Sequence, residues 1–272
     1  MGEHSDREPD EVRGPDSALN PGRPRLAGKV VVVTGAGSGQ GAAEARALAA
    51  EGAQVIGTDI KPVEGSDGVE GLEADVSSAD DWRRVAAHVE KRFGRLDGLI
   101  NNGAVGSRSL LADVGPAEWN QVLAVNLTGP MLAITTLLPL MPAGASIVNV
   151  CSTASLVPHF KAAYTVSKWG LRGLSHLAAM ELGARGIRVN AVHPGFVETP
   201  IIDKLGRDFA DGHRSITPLN RLGKPLDLAG LMIFLMSDES AYVNGADLVV
   251  DGGFSRTAAG FHQAMIAAGG NR

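Results

Sequence analysis

The chain has 272 residues, 44% of them hydrophobic and 20% charged, with a formal net charge of −5. That length can bury one large core, while the acidic balance argues against nucleic acid as a partner, which a basic domain or stripe would mark. Cys151 is the one cysteine, so no intramolecular disulfide, zinc cluster or other metal site is expected; no uninterrupted apolar run reaches the ~18 residues of a membrane span and the N-terminus lacks a signal-peptide core, so a cytoplasmic protein with no membrane partner is expected.

Residues 1–25 are rich in Pro, Gly, Asp and Arg and nearly free of apolar side chains. Such a segment cannot offset its ordering entropy by burial and reads as a flexible tail. Residues 26–272 read as one domain, with order beginning near Lys29. Val30 to Val33 is a β-branched run of the kind buried on both faces of a sheet. A glycine-rich turn follows, then an Ala- and Leu-dense helix over 42–51 and a second strand over 54–58 that ends in Asp59.

The alternation continues with strands over 72–76, 98–101, 146–151, 187–192 and 247–250. Helices are predicted over 79–93, 116–141, 162–182 and 227–236. Pro116 suits a first helical turn. Alternating strands and helices give an α/β class: a Rossmann-type, doubly wound parallel sheet of about seven strands, helices on both faces. Only nine residues, Ile60 to Gly68, separate Asp59 from Val69. A crossover helix needs roughly 10–12 residues or more, so that helix is expected to be shortened or lost, leaving this edge open.

Gly35, Gly39 and Gly41 have the spacing G-x-x-x-G-x-G between a strand and a helix. Helix N-termini attract anions through unpaired N–H groups and a positive dipole end, and glycine lets a phosphate approach closely. Asp59, eighteen residues beyond Gly41, can accept from both hydroxyls of an adenosine ribose and would repel a 2′-phosphate. With the neutral Ser38 beside it, this favours NAD(H) over NADP(H); the loop cation Lys61 is the counter-argument.

Tyr164 and Lys168 lie four residues apart, on one face of the predicted helix. A free phenol titrates near ~10; an adjacent ammonium favours phenolate and is expected to lower that value toward neutrality. Ser152 follows the fifth strand, at the sheet end where open α/β folds hold ligands. Asn126 is a polar group in an apolar stretch. His159 and Phe160 precede Tyr164 and are candidates for a pocket wall. Cys151 reads as a packed strand residue, and His193 as structural. Residues 201–223, polar and glycine-containing, are expected to form a mobile lid, within a substrate loop over about 196–223.

These segments resemble the short-chain dehydrogenase/reductase family of ~250 residues. The resemblance rests on Thr34-Gly35-x-x-x-Gly39-x-Gly41, Asp75-Val76, Asn101-Asn102-Gly103-Ala104, Asn126, Ser152, Tyr164-x-x-x-Lys168, Pro194-Gly195-x-x-x-Thr199 and Asp251-Gly252-Gly253, in the family's order. A narrower similarity, to bacterial NAD-dependent 3α,20β-hydroxysteroid dehydrogenases, runs through residues 167–175, 188–195 and 237–240.

The resemblance implies hydride transfer between NAD(H) and a secondary alcohol or ketone, such as a hydroxysteroid or another alicyclic alcohol. Tyr164 is then the acid/base. Lys168 lowers its pKa and holds the nicotinamide ribose. Ser152 binds the substrate oxygen, and Asn126 holds a water in a proton relay. Asp75 and Val76 meet adenine, Asn102 and Gly103 the adenosine ribose, and Pro194, Gly195, Val197 and Thr199 the nicotinamide, with Gln40 reaching toward it. A homotetramer (or homodimer) built through the helices holding Asn126 and Tyr164 is implied as well.

The chain departs from the family pattern in Gly103-Ala104 for the usual Ala-Gly, in Cys151 for a serine, in Gln40 for an aliphatic residue, and in a Ser152–Tyr164 spacing one residue short. Two other readings stay open. One is a 3-oxoacyl thioester reductase, whose acidic carrier would dock on Lys204, Arg207, Arg214 and Arg221. The other is a non-catalytic NAD-binding sensor or scaffold.

Overall fold

The computed structural model describes residues 24–66, 68–199 and 207–267. Most of the expected tail, residues 1–23, lies outside them, as do Lys204 and the rest of 200–206. The strands are β1 (Val30–Thr34), β2 (Gln54–Asp59), β3 (Val69–Glu73), β4 (Gly98–Asn101), β5 (Ser146–Val150), β6 (Arg188–Pro194) and β7 (Asp247–Val250). They form one parallel sheet in the order β3-β2-β1-β4-β5-β6-β7. The direction of winding reverses between β1 and β4, the place where open α/β sheets hold ligands at the C-terminal ends of their strands.

The helices are α1 (Gly39–Ala50), α2 (Ala79–Phe93), α3 (Pro116–Leu123), α4 (Gly129–Leu137), α5 (Ala162–Leu182), α6 (Arg207–Ser215), α7 (Pro225–Met236) and α8 (Phe254–Ala267). Strand β1 shows why the sheet needs both helical layers. Val30 and Val32 pack with Trp82, Val89, Ile134 and Ala178, from α2, α4 and α5. Val31 and Val33 pack with Ala45 and Leu48 of α1 and Met232 of α7. Alternate side chains leave a strand on opposite faces, so an unbroken valine run fits only a doubly covered sheet. Each such burial contributes roughly 1.5–3 kcal/mol.

Three sequence expectations move. The third strand lies at Val69–Glu73 rather than 72–76. It pairs with β2 from Val55↔Val69 to Asp59↔Glu73, because the short return, with no helix in it, closes at once through Val55 N–H to the Gly68 carbonyl at 2.8 Å. Glu70, Gly71 and Glu73 mask that strand in the sequence. Asp75 and Val76 therefore follow the strand, ahead of α2.

The helix expected over 116–141 is continuous to Leu140, but a π turn, Ala124–Thr128, interrupts it. This 25-residue helix is long and apolar enough to cross a membrane by length and composition, contrary to the expectation. It has uncharged polar residues within it, which a search for uninterrupted apolar residues passes over. Here its Val122, Ala133, Ile134 and Leu137 are buried in the fold.

Order also begins before Lys29. Leu26 is fully buried in the layer containing α1 and α7, its N–H donates to the Glu51 carbonyl at 2.9 Å, and Arg25 pairs with Glu239. Leu26→Ala should lower stability in urea unfolding by about 2–5 kcal/mol; a change under roughly 0.5 kcal/mol, as at a surface site, would mean the segment is not part of the folded core.

Candidate active site

Four strand ends converge at the C-terminal edge of the sheet: Thr34 of β1, Asn101 of β4, Val150 of β5 and Pro194 of β6. The Thr34 hydroxyl ties the first two together, accepting from the N–H groups of Asn102 (3.0 Å) and Gly103 (2.8 Å). The Asn102 side chain donates back to the Thr34 carbonyl at 3.0 Å. Gly35 takes φ +69 with its missing Cβ pointed at Gly103, so the displaced glycine of the Asn-Asn-Gly-Ala run meets the glycine turn directly. A Cβ on Gly41 would collide with the Gly35 carbonyl.

Helix α1 thus starts with bare backbone. Its N-cap, Ser38, is extended and makes no side-chain cap bond. Asp59 reaches the same turn, its Oδ2 accepting from Gly37 N–H at 3.1 Å and its Oδ1 from Lys61 N–H at 3.2 Å. Sequence reasoning passed over both Thr34 and Gly37 as partners of this turn. A groove of about 740 Å3 runs beside it between Gly39, Ala43 and Arg46 of α1 and Glu198, Lys224 and Leu226; it borders the glycine turn, not Tyr164.

Gln40 donates to Glu44 Oε1 at 2.8 Å. Glu44 is fully buried and its Oε2 has no partner. Burial pushes its carboxyl up to about 8, against the weaker pull of Gln40. It is therefore largely protonated at neutral pH.

The second half of the site stands on β5 and α5. Buried polar contacts run from β4 through β5 to α5: Asn101 Nδ2 donates to Asn149 Oδ1 (2.8 Å) and Asn149 Nδ2 to Ser175 Oγ (2.9 Å). The Lys168 ammonium, one turn beyond Tyr164, donates to the Val150 carbonyl at 2.7 Å and stands 5.8 Å from the centre of the Tyr164 ring. Ser152 begins the short turn Thr153–Ser155 and accepts from Ala154 N–H at 3.1 Å.

Burial dominates the electrostatics of this pair. It raises the Tyr164 phenol, which the Ser152 hydroxyl pulls partway back. It also lowers Lys168 to about 8. The expectation that Lys168 brings the phenol down thus meets an opposite balance in the protein itself: both groups are desolvated, and the ammonium is committed to a backbone carbonyl. Burial likewise pushes the Cys151 thiol up to about 12, as a packed strand residue requires.

Asn126 sits in the π turn, a feature common at functional sites. Its side chain is occupied: Oδ1 accepts from Val105 N–H (2.8 Å), and Nδ2 donates to the Val105 carbonyl (2.9 Å) and to Ser167 Oγ (3.1 Å). It braces the loop after β4 against α5. Glu118 grips the same loop, accepting from both hydroxyls of Ser107 and Ser109 and from the Arg108 N–H, and those bonds, the Ser109 hydroxyl first, hold it at about 2. No motif in the sequence marks Glu118.

An aromatic wall extends from Tyr164. The His159 ring lies 6.4 Å from Tyr164 and 6.4 Å from Phe196. Phe196 stacks on His213 at 3.3 Å and meets Phe209 and Phe254 edge-on. Part of the expected polar lid is thus the helix α6, docked through Phe209 and His213. Helix α8, also absent from the sequence reading, brings Phe254 to the same wall. Asp75 accepts from the N–H and hydroxyl of Ser77; the Val76 carbonyl accepts from Trp82 Nε1. Val197 is buried and bridged to Gly223, while Gly195 donates to the Val250 carbonyl; these and Thr199 border the same edge of the sheet.

The bare helix start, the carboxylate at its rim and the buried ammonium beside Tyr164 fit a dinucleotide. The family model described as enoyl-(acyl carrier protein) reductase matches residues 35–255. The chain is 38% identical over 248 residues to trans-4-hydroxycyclohexanecarboxylate dehydrogenase of Sinomonas cyclohexanicum, covering 84% of this chain and 93% of that protein. It is 38% identical over 239 residues to 3-alpha-(or 20-beta)-hydroxysteroid dehydrogenase of Mycobacterium bovis, covering 84% and 90%. The crystal structure of a short-chain dehydrogenase/reductase, glucose/ribitol dehydrogenase, from Brucella melitensis superposes with a TM-score of 0.80 at 30% identity, covering 85% of this chain and 98% of that one.

Because burial holds the Glu44 proton on, folding takes up a proton between the ordinary carboxylate range and about 8. Stability from this group is fully present below the unfolded carboxyl value and is lost as pH rises through the folded one. Thermal unfolding should therefore show Tm falling across that window, and Glu44→Gln should flatten the decline and raise Tm at its alkaline end. Parallel Tm–pH curves for the two proteins would exclude a buried, protonated Glu44.

Proposed function

Because this chain belongs to the short-chain dehydrogenase/reductase family, oxidoreductases acting on CH–OH groups, we propose that it interconverts an alicyclic secondary alcohol and its ketone with NAD(H) as coenzyme. The observation that carries this reading is the convergence of Ser152, Tyr164 and Lys168 at the end of β5, with the aromatic wall of His159, Phe196, His213 and Phe254 leading away from the phenol. A wall of rings offers flat apolar contact to a ring-shaped substrate.

The backbone of Gly35, Ser38, Gly39, Gln40 and Gly41 receives the pyrophosphate at the start of α1. Asp59 accepts from the adenosine ribose and disfavours a 2′-phosphate. Asp75 and Val76 border the adenine, and Asn102 and Gly103 its ribose. Pro194, Gly195, Val197 and Thr199 frame the nicotinamide. When bound, that ring supplies the hydride for reduction and takes it up in oxidation. Lys168 holds the adjoining ribose by its remaining N–H bonds.

Ser152 donates to the substrate oxygen and fixes it beside Tyr164. In reduction the phenol gives its proton to that oxygen; in oxidation the phenolate removes it. Asn126 keeps the loop after β4 in register with α5 and holds a water in a proton relay with Lys168. Since burial raises the phenol, the resting site carries the proton that reduction needs.

The acyl thioester reading shares the family description, but the two candidate docking cations whose side chains are described are each paired with a carboxylate. Arg214 pairs with Asp211 and Arg221 with Asp227. Oligomerisation has support in α5, where Val166, Trp169, Leu177 and Met180 form an exposed apolar stripe that a second copy would cover, giving a homotetramer or homodimer. One face of the long apolar helix, with Val122, Ala133, Ile134 and Leu137, packs into the core, and we read the protein as a cytoplasmic enzyme.

Turnover of trans-4-hydroxycyclohexanecarboxylate, a 3α-hydroxysteroid and an acetoacetyl thioester, followed at the nicotinamide absorbance, tests the assignment. One of the two alcohols is expected to react; reaction with the thioester alone would overturn the alicyclic reading. NADH should exceed NADPH in kcat/KM by roughly tenfold or more, the equivalent of about 1.4 kcal/mol, and a preference for NADPH would reverse the Asp59 argument. Tyr164→Phe should bind NADH normally and lose at least ~100-fold in kcat, the scale of general acid–base catalysis; near-normal kcat would remove Tyr164 from its role. Alcohol oxidation by the wild type should accelerate with rising pH, because it requires the deprotonated phenol, whereas a falling profile would contradict the assignment of the base.

A further inference from the structure

His193 lies on β6, immediately before the nicotinamide motif, and is fully buried. Its Nε2 meets Asp247 Oδ1 of β7 at 2.8 Å. Its Nδ1 faces the turn that starts at Ser152: 2.9 Å from Ser155 Oγ and 3.2 Å from the Ser152 carbonyl. The Ser155 hydroxyl in turn donates to that carbonyl at 2.6 Å. Asp247 is itself clamped by α5, the Arg172 guanidinium donating to both carboxylate oxygens at 2.6–3.1 Å and His176 standing 3.3 Å from Oδ1. Tyr164, Lys168, Arg172 and His176 recur every four residues, so one stripe of α5 carries both the acid/base pair and the clamp.

We propose that His193 is a positioning residue for Ser152: braced by Asp247 and Arg172, its ring fixes the turn of Ser152–Ser155 and so aims the hydroxyl that binds the substrate oxygen. This rests on the function proposed above for Ser152 but concerns a residue that reading leaves unused.

The protons bear it out. Burial works to raise Asp247, yet its bonds to Arg172 and His193 outweigh that and hold it at about 2, so it is an acceptor only. Burial lowers His193, leaving a neutral ring with its one proton on Nε2, toward Asp247. Nδ1 then offers a lone pair to the turn. The Ser155 hydroxyl, with one proton and two acceptors in reach, bridges Nδ1 and the Ser152 carbonyl. Ser152 Oγ is held by the Ala154 N–H of that same turn and by the phenol it steadies. Besides Asp247, the charged or titratable groups around this region are Arg172, His176 and Lys168 on α5 and Cys151 on β5's exit; none of them can replace Nδ1 at the turn, because Arg172 and His176 face Asp247 and Lys168 is bonded to Val150.

The chain has two tyrosines, Tyr164 and Tyr242, and Tyr242 is fully exposed. In a Tyr242→Phe background, alkaline titration of tyrosinate absorbance reads Tyr164 alone, without a substrate. Ser152→Ala removes the hydroxyl that pulls the phenol down and should raise its midpoint. His193→Gln keeps a donor near Asp247 but withdraws the acceptor from the turn; it should raise the midpoint by a similar amount. His193→Asn places an amide oxygen where Nδ1 stands and should hold it close to the wild type. Ser155→Ala, a milder change within the turn, should move it in the same direction as His193→Gln. Combining His193→Gln with Ser152→Ala should add nothing further.

On whichever alcohol the wild type oxidises, kcat of His193→Gln should fall roughly tenfold or more, the cost of a misaimed group, with NADH binding by fluorescence unchanged. An unmoved midpoint in both His193→Gln and Ser155→Ala, or a shift fully additive with Ser152→Ala, would overturn the proposal. Because the titration needs no turnover, either result stands even if the alicyclic substrate assignment fails.

Discussion

The site depends on an ammonium and a phenol set one helical turn apart, the lysine buried and the tyrosine partly so. Lys168 and Tyr164 are both desolvated, and burial drives each toward its uncharged form. What keeps a cation there is the Val150 carbonyl, 2.7 Å from Nζ. A buried charge with no partner would be costly; one that ends on the last carbonyl of a core strand is fixed in place. The sheet is thus part of the chemistry, since β5 determines where the lysine stops and hence how it stands against the ring one helical turn earlier.

Much of this could be read from the residues because the relevant constraints are local. Four valines between a polar segment and a glycine turn specify a strand covered on both faces, and the structure sorts them alternately into two helical layers. The spacing of Gly35, Gly39 and Gly41 reflects backbone contacts that admit no side chain. The nine residues after Asp59 are too few for a crossover helix, and there is none. Predicted helix limits at 79–93 and 162–182 coincide with α2 and α5, and α2 is closed at both ends by Ser78 and the left-handed Gly94.

What stayed hidden is long-range or compensatory. The Thr34 hydroxyl gains its meaning from Asn102 and Gly103, some seventy residues away. Glu118 pins a loop through serines that carry no pattern. The helices α6 and α8 are polar or Ala-rich in sequence, and their aromatic faces become evident only when Phe209, His213 and Phe254 gather on Phe196. Asn126 was legible as unusual but not as a brace, since that depends on a widened helical turn. Lys168 was expected to govern Tyr164 by charge alone; the burial of Lys168 and the desolvation that opposes charge on both groups are properties of packing that spacing does not carry.

The two rims of the sheet are guarded differently. On one, β3 is bordered by a return strand-like hook, with Ser66 and Val69 exchanging backbone bonds at 3.1 and 2.8 Å, and its Glu70 is drawn to His88 and Arg92 of α2. On the other, β7 carries Asp247, locked to Arg172. Unpaired strand edges invite foreign strands, and ionic side chains at an edge resist them. At the β3 rim the hook and the ion pairs therefore oppose the addition of a foreign strand, whereas Asp247 on β7 is spent on Arg172 and His193 inside the fold.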